Sequence, residues 1–163
     1  MTAPIGRFIL DLGGCFELLQ DSSDFKTAYA ADLGLGLQTP VHRLAFLGRY
    51  SSWEFLPISS IDQSNVLSPK LTGISFVSLD YIVRIHRTFA AGLSAFYFMQ
   101  SFDNSDPNGH LLGAEAYGGL YFSPFSDLSI NIGAGVFLPA LGNVTPDANK
   151  IWRIDLNLIL SFY

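Results

Sequence analysis

The chain of 163 residues contains little charge and almost no sulfur. Only 14% of its residues are Asp, Glu, Lys or Arg, against about a quarter in an average soluble domain. Its single cysteine, Cys15, excludes an internal disulfide, and we expect it to act as a small filler residue on a strand. The net charge of −5 gives no electrostatic support for nucleic-acid binding, so no nucleic-acid partner is expected.

Long apolar runs are also lacking. Although 49% of the residues are hydrophobic, no run approaches the roughly 20 residues of a membrane-spanning helix. The first residues, 1–4, lack the basic start and apolar core of a secretory signal, so if the protein is exported we expect the sequence to be its mature form. The length predicts a single domain that comprises residues 1–163.

What the sequence does contain is a two-residue alternation, which is clearest in residues 151–163. One face of this segment would be apolar: Trp152, Ile154, Leu156, Leu158, Leu160 and Phe162. The other face would be largely polar: Arg153, Asp155, Asn157, Ile159 and Ser161. The segment is long enough to cross a bilayer as a tilted strand.

Seven upstream segments share this alternation. The predicted strands are 6–19, 25–38, 43–56, 73–86, 88–101, 111–123, 128–138 and 151–163. The connections at 39–42, 87 and 124–127 are short, and those at 57–72, 102–110 and 139–150 are longer; 20–24 is short although it lies among the longer ones. Short turns at one end and longer loops at the other are typical of an up-and-down barrel. We therefore expect residues 151–163 to close the barrel by pairing with residues 6–19.

The two faces differ in chemistry along nearly every predicted strand. Leucine, phenylalanine, tyrosine and β-branched residues form one face, including Leu112 in the sixth strand, whereas nearly all in-strand charges and many glycines lie on the other. In the third strand, Tyr50 and Trp53 share the apolar face only if a bulge lies at Ser51-Ser52. The interior of an eight-stranded barrel is only just wide enough for side chains, so glycines are expected on its inner face. A charge on the lipid face costs about 2–4 kcal/mol at the bilayer midplane, so charges are expected on the inner face as well. The alternative is a soluble lipocalin-like carrier with an apolar interior and a charged exterior.

Together these features resemble the small eight-stranded outer-membrane proteins of bacteria, the group that contains OmpX, the OmpA membrane domain and OmpW. The resemblance is one of architecture, and its most specific element is the final aromatic strand, whose apolar face ends at Phe162 rather than at Tyr163. It implies an all-β fold, a closed antiparallel up-and-down transmembrane β-barrel of eight strands, in a bacterial outer membrane. It also implies contact with the bilayer, with lipopolysaccharide or another outer-leaflet lipid, and with the barrel-assembly machinery.

Two groups of candidate residues follow from this barrel interpretation. The first is a network of charges in the lumen: Arg7, Asp11, Glu17, Asp80, Arg84, Glu115, Arg153 and Asp155. The second is a set of aromatics at the lipid interface: Trp53, Phe55, Tyr97, Phe122, Trp152 and Phe162. Paired charges would plug the lumen, with Phe96, Phe98, Tyr117, Tyr121 and Phe137 filling the remaining space. The same charges could instead line a narrow channel for ions or small apolar solutes, as in a porin-like protein.

No catalytic or metal site is expected. His42, His86 and His110 lack the fixed Ser–His–acid arrangement that a membrane-embedded hydrolase needs, and no cofactor is predicted. Residues 104–115 approach a calcium-loop spacing, but Pro107 and the strand-like flanks favour a polar hairpin loop. We therefore expect a non-enzymatic protein with a structural role, or with a role in binding an unknown surface ligand through the longer loops.

Overall fold

The computed structural model describes residues 6–21, 24–52, 73–100 and 110–161. These ranges form eight β-strands: β1 (Arg7–Asp21), β2 (Asp24–Gln38), β3 (His42–Ser51), β4 (Ile74–His86), β5 (Phe89–Gln100), β6 (His110–Phe125), β7 (Leu128–Leu138) and β8 (Ile151–Leu160). A one-turn 3-10 helix, Pro139–Leu141, follows β7. Within the described ranges, no helix has the length and apolarity needed to span a membrane.

All eight strands belong to one sheet, and each strand pairs antiparallel with its neighbour in the chain. The predicted all-β, up-and-down order of eight strands is therefore confirmed. Each predicted segment overlaps one observed strand, although β3 ends at Ser51 and β8 at Leu160, earlier than expected. Alternation alone places Tyr50 on the same face as Leu44 and Phe46, whereas Trp53 lies outside the described residues.

The prediction that the sheet closes is not met in this structure. The strands β1 and β8 form the two edges of the sheet, and no described residue of one pairs with a described residue of the other. The expected pairing of the last strand with residues 6–19 is therefore absent. Alternation specifies which side chains share a face, but closure also depends on strand tilt and stagger, which alternation does not encode.

The two ends of the sheet differ in their connections. One end, here the short-turn end, carries the turns at 39–41, 87–88 and 126–127 together with residues 6 and 161. In the first of these turns the Thr39 hydroxyl accepts a hydrogen bond from the His42 amide at 2.8 Å. The opposite end, the long-loop end, carries the connections between β1 and β2, β3 and β4, β5 and β6, and β7 and β8.

Of the longer connections, the structure describes residues 139–150, whereas 53–72 and 101–109 lie outside the described residues. This loop is fastened to the start of β6: the side-chain oxygen of Asn143 accepts a hydrogen bond from the Leu111 amide at 2.7 Å, and the Asn143 amide donates to the Leu111 carbonyl at 2.8 Å. Tyr97 also donates its hydroxyl to the Leu141 carbonyl at 3.0 Å. The loop is therefore held against β5 and β6.

One face assignment made from the sequence is wrong. Leu112 was expected on the exposed apolar face, but it is buried among the aromatic side chains of the opposite face. The register shifts where Phe98 pairs with Gly113 and Met99 pairs with Leu111, so one extra residue is accommodated at this point in β6. Gly113 adopts a φ of +134°, a conformation that other residues rarely adopt, and this bulge turns Leu112 inward.

Candidate functional site

The most prominent feature of the sheet is an apolar face that is exposed along all eight strands. We call it the outer face, and it includes these exposed large side chains: Phe8, Leu10, Leu12, Phe16, Leu18, Phe25, Tyr29, Leu33, Leu35, Leu37, Leu44, Phe46, Tyr50, Val77, Leu79, Tyr81, Ile85, Leu93, Leu120, Phe122, Ile132, Trp152, Ile154, Leu156, Leu158 and Leu160. Ile154 is 81% exposed and Trp152 is 71% exposed. In the described strands no Asp, Glu, Lys or Arg occupies this face. Isolated exposed apolar residues are ordinary on a soluble protein, but a continuous apolar face marks contact with a partner or a membrane.

The opposite face, here the inner face, carries the charges and most of the glycines. The charges on it include Arg7, Asp11, Asp32, Arg43, Arg49, Asp80, Arg84, Glu115, Arg153 and Asp155. Many of its side chains are buried or half-buried although only one sheet is present in the described residues. The inner face is therefore covered by the curl of the sheet itself.

An aromatic cluster shows how strongly the sheet curls. Phe98 in β5 and Phe137 in β7 lie two strands apart, yet their ring centroids are 6.4 Å apart, less than twice the spacing of about 4.8 Å between neighbouring strands. Phe96 and Phe98 stack at 5.6 Å, and Phe76 lies within 6.2 Å of Phe98. The cluster fills the inner face toward the long-loop end. Phe96, Phe98 and Phe137, which were expected to fill the lumen, are all buried.

A salt bridge that the sequence analysis did not single out lies beside this cluster. Arg49 donates from Nε to Asp32 Oδ1 at 2.5 Å and from Nη2 to Asp32 Oδ2 at 2.9 Å. Its guanidinium carbon also lies 5.7 Å from the centre of the Phe76 ring. Two hydrogen bonds to one carboxylate and the neighbouring ring hold this arginine more firmly than a surface pair would be held.

The signal for this pair was present in the sequence. Asp32 is directly opposite Arg49 in the β2–β3 ladder, as Gln38 is opposite Arg43 beside the turn. Once a short turn fixes the register of a hairpin, counting outward from the turn gives every cross-strand pair. Counting outward from residues 39–41 predicts that Asp32 lies opposite Arg49. The positions of the charges within each strand do not show this without the register.

A second polar cluster lies on the inner face near the β8 edge. Arg153 donates from Nε to Asp155 Oδ1 at 2.8 Å, and the Tyr117 hydroxyl lies 3.4 Å from Asp155 Oδ2. The tyrosine reaches from β6 past β7 because Gly133 on β7 has no side chain: a Cβ there would overlap the Tyr117 ring and hydroxyl. The lack of a side chain at Gly133 thus leaves the space that the Tyr117 side chain occupies.

The structure brings together only part of the predicted charge network. Arg153 and Asp155 contact each other, and no ion pair within the described residues includes Arg7, Asp11 or Arg84, which are exposed. Glu115 is 2% exposed, between Phe96 and Phe137 in the ladder. The side chain of Glu17 lies outside the described residues, so the complete network stays a prediction.

Asp80, a further member of the predicted network, has a serine and an arginine as neighbours on the inner face. Its carboxylate accepts a hydrogen bond from the Ser78 hydroxyl at 3.5 Å, and Arg43 lies close enough to act on it electrostatically. Both line a cavity of about 240 Å³ on the inner face, together with Asp11, Gly34 and Gly36. Arg43, which the sequence analysis did not single out, is thus one of the charged groups that line this cavity.

The proposed interface aromatics divide between the described and undescribed parts of the chain. Trp152 and Phe122 are exposed on the outer face, and Tyr97 lies there at the long-loop end with its hydroxyl bonded to Leu141. Trp53, Phe55 and Phe162 lie outside the described residues. Their role as a girdle at the lipid interface stays a prediction.

The histidines show no catalytic arrangement in the part of the chain that the structure describes. Nδ1 of His42 lies 2.8 Å from the Tyr81 hydroxyl, and Nδ1 of His86 lies 3.1 Å from the Thr88 hydroxyl. Both are at the short-turn end of the sheet. The side chain of His110 lies outside the described residues, and so do residues 104–109 of the segment 104–115 that has a calcium-like spacing. The absence of enzymatic activity stays a prediction.

Comparison with protein-family models, with curated proteins and with solved structures finds no match to this chain. The resemblance to small outer-membrane proteins is therefore carried by the architecture and the sidedness of the strands alone.

Proposed function

We propose that this protein is an integral β-barrel of a bacterial outer membrane, in which the outer face contacts lipid and the sheet closes around the inner face. The observation that carries this proposal is the exposed apolar face, free of charged side chains over the described strands. Transfer of this face from water to hydrocarbon is favourable by about 25 cal/mol for each Å² of apolar surface. Charges restricted to the inner face avoid the cost of lipid contact.

The sidedness favours a membrane protein over a soluble lipid carrier. A carrier of the lipocalin type would bury its apolar face around the ligand and expose its charges. Here the buried large side chains, including Phe98 and Glu115, belong to the face that carries the charges, while the leucine-rich face is exposed. A bilayer is the environment that covers such a face on every strand at once.

The role within the membrane is proposed to be structural, or to be ligand binding through the longer loops. The aromatic cluster of Phe76, Phe96, Phe98 and Phe137 occupies the inner face toward the long-loop end and supports a plugged lumen. The loop at 139–150 is held against the sheet at Leu111 and Tyr97, which supports an ordered surface for contact with a partner. Contacts with outer-leaflet lipid such as lipopolysaccharide, and insertion by the barrel-assembly machinery, belong to the same proposal.

A narrow channel is the second candidate, because the cavity of about 240 Å³ that Asp11, Arg43 and Asp80 line lies on the same inner face. Planar-bilayer recordings separate the two functions. A plugged barrel predicts no discrete conductance from the wild-type protein. A conductance that changes on Arg84→Ala or Arg43→Ala would instead identify these groups as pore-lining and replace the plug by a channel.

The membrane proposal itself is tested by partitioning and gel migration. The protein is expected to require detergent or lipid for solubility, and to migrate differently in detergent gels before and after heating. A freely soluble monomer in detergent-free buffer, with no such heat-dependent shift, would contradict the membrane assignment.

A further inference from the structure

The two edges of the sheet present a specific problem for a protein in lipid. Along β1 and β8 one row of backbone amides and carbonyls has no strand partner among the described residues. Neither strand contains proline or lysine, the residues that commonly protect exposed edges. In hydrocarbon each unsatisfied backbone group costs several kcal/mol, so both edges require a strand.

The register of the sheet determines how these edges can meet. One row of paired residues runs across the outer face from edge to edge: Leu10, Leu35, Phe46, Leu79, Ala95, Ala116, Val136 and Trp152. Since the strands alternate in direction, β8 runs antiparallel to β1. Closure without stagger would place Trp152 opposite Leu10. Only residues 151–155 would then find partners, opposite 11–7, and the rest of β8 would extend past the start of β1.

A closed barrel instead has a stagger, which is the number of residues by which the last strand is displaced along the first. The stagger is about eight residues in the eight-stranded sheet of the (β/α)8 barrel. Shifting β8 by about eight residues along β1 places Trp152 opposite Leu18 and residues 151–160 opposite 19–10. Every residue of β8 then lies beside a residue of β1. The opposite direction of stagger would carry β8 beyond the start of β1, and an odd offset would set the outer face of one strand against the inner face of the other.

Staggers of about six and about ten residues also keep β8 beside β1. Since a stagger of about eight corresponds to a strand tilt of about 36°, a stagger of about six would tilt the strands less than the usual value of about 35–45° in closed barrels. Charge separates the remaining two registers. The shorter stagger places Arg153 opposite position 17, a glutamate, and Asp155 opposite Cys15. The longer stagger places Asp155 opposite the glutamate. Opposite charges across a ladder stabilise a strand pair, whereas like charges directly opposite destabilise it.

We propose that β8 pairs with β1 of the same chain in the register that places Asp155 opposite Cys15 and Ile154 opposite Phe16. The inference rests on the proposed membrane function, because the lipid environment supplies the need to satisfy both edges. Pairing within one chain follows from the sidedness, since closure surrounds the charged inner face and leaves the outer face toward lipid. The covalent link between the strands also gives them an effective concentration in the range of about millimolar.

The native cysteine provides a direct test. Opposed residues of an antiparallel pair have Cα atoms about 4.5–5.5 Å apart, within disulfide range, whereas residues displaced by two positions are about 7–8 Å apart and beyond it. Asp155→Cys with native Cys15 reports the shorter stagger, and Asn157→Cys with native Cys15 reports the longer one. Each protein is folded into phosphatidylcholine vesicles and oxidised mildly, and the linked peptides are identified by mass spectrometry.

The expected result is a disulfide within one chain for Asp155→Cys, formed on the order of tenfold faster than for Asn157→Cys. The Cys15→Ala version of Asp155→Cys should form no intramolecular disulfide. Because Asp155 binds Arg153, a second pair guards against misfolding: Asp11→Cys with Ile159→Cys, in the Cys15→Ala background, lie opposite each other in the same register. A faster disulfide at Asn157→Cys, a disulfide between two chains, or no disulfide from either pair in folded protein would overturn the proposal.

The same samples keep this proposal separate from the membrane assignment. Protein that floats with the vesicles but links through Asn157→Cys contradicts the register and leaves the membrane function standing. Protein that remains in the aqueous phase as a monomer, and links through Asp155→Cys, contradicts the membrane function and supports the register.

Discussion

The outer and inner faces are built from the same strands and differ only in which alternate residues they use. On the outer face the side chains are large, apolar and exposed, and little in the described part of the protein packs on them. On the inner face phenylalanines are buried against one another, glycines receive tyrosines, and arginines meet carboxylates. Specific side-chain packing is therefore concentrated on the inner face, whereas the outer face depends on its surroundings. Four substitution experiments test this contrast.

The largest difference is expected between two apolar truncations. Phe98→Ala removes a ring that is 2% exposed and contacts the rings of Phe76, Phe96 and Phe137. It should lower the free energy of unfolding by about 3–5 kcal/mol. Leu93→Ala on the outer face, where the side chain is 67% exposed, should cost about 1 kcal/mol or less because lipid fills the space. Urea titration of vesicle-folded protein measures both, and equal losses would contradict the contrast.

In the next experiment the larger loss of stability is expected on the outer face rather than on the inner face. Leu156→Arg places a charge on the outer face and should destabilise the folded protein in vesicles by about 2–4 kcal/mol. Asn157→Arg, one residue further along β8 but on the inner face, is the matched control and should destabilise the protein clearly less, because a charge in the lumen stays out of lipid. Unfolding titrations in the same vesicles compare the two. A larger loss at Asn157 than at Leu156 would mean that the faces have been assigned in reverse.

A third experiment concerns the packing of glycine against tyrosine. Gly133→Ala introduces a methyl group where the Tyr117 ring and hydroxyl lie, so the tyrosine must move. The expected loss is about 1–3 kcal/mol, typical of overpacking. Gly14→Ala, whose nearest neighbour would be a backbone oxygen at 3.7 Å, is the control with ordinary contacts. Combining Gly133→Ala with Tyr117→Ala should recover part of the loss; strictly additive effects would show that the two positions do not interact.

The smallest expected effect separates the two salt bridges of the inner face. Asp32→Ala leaves Arg49 half-buried beside Phe76 without its carboxylate and should cost about 1–2 kcal/mol. The same change at Asp155 should cost less, because the register proposed for the closed barrel leaves a second carboxylate, at position 17, opposite its partner Arg153. Double-mutant cycles with Arg49→Ala and Arg153→Ala provide the coupling energies. A stronger coupling at the second pair than at the first would contradict this order.

The sequence was a good guide to strands and faces because a period of two is a local property. It predicted eight strands, their order and the apolar face of β8, all of which depend on neighbouring residues. It misplaced Leu112 because the bulge at Gly113 shifts the alternation by one residue, and a single glycine among many does not mark a bulge. It missed the pair of Asp32 and Arg49 because that contact appears only when register is counted from the turn.

Closure was the property least accessible to sequence pattern. Whether β1 meets β8 depends on the stagger accumulated over all eight strands, which no single segment encodes. The register from β1 to β8 allows only a few staggers between the two edge strands, and the positions of Arg153, Asp155 and Cys15 distinguish among these staggers. The long β1, with 15 residues against 10 in β8, is the feature that makes a staggered closure possible.

The most direct test of the lipid-facing outer face is a spin-label scan along β8. Single cysteines are placed at 154, 155, 156, 157 and 158 in the Cys15→Ala background, labelled, and folded into vesicles. Collision with dissolved oxygen, which concentrates in the bilayer, should be high at Ile154, Leu156 and Leu158 and low at Asp155 and Asn157. A profile without this alternation, or one with the two inner positions most accessible to oxygen, would contradict a lipid-facing outer face.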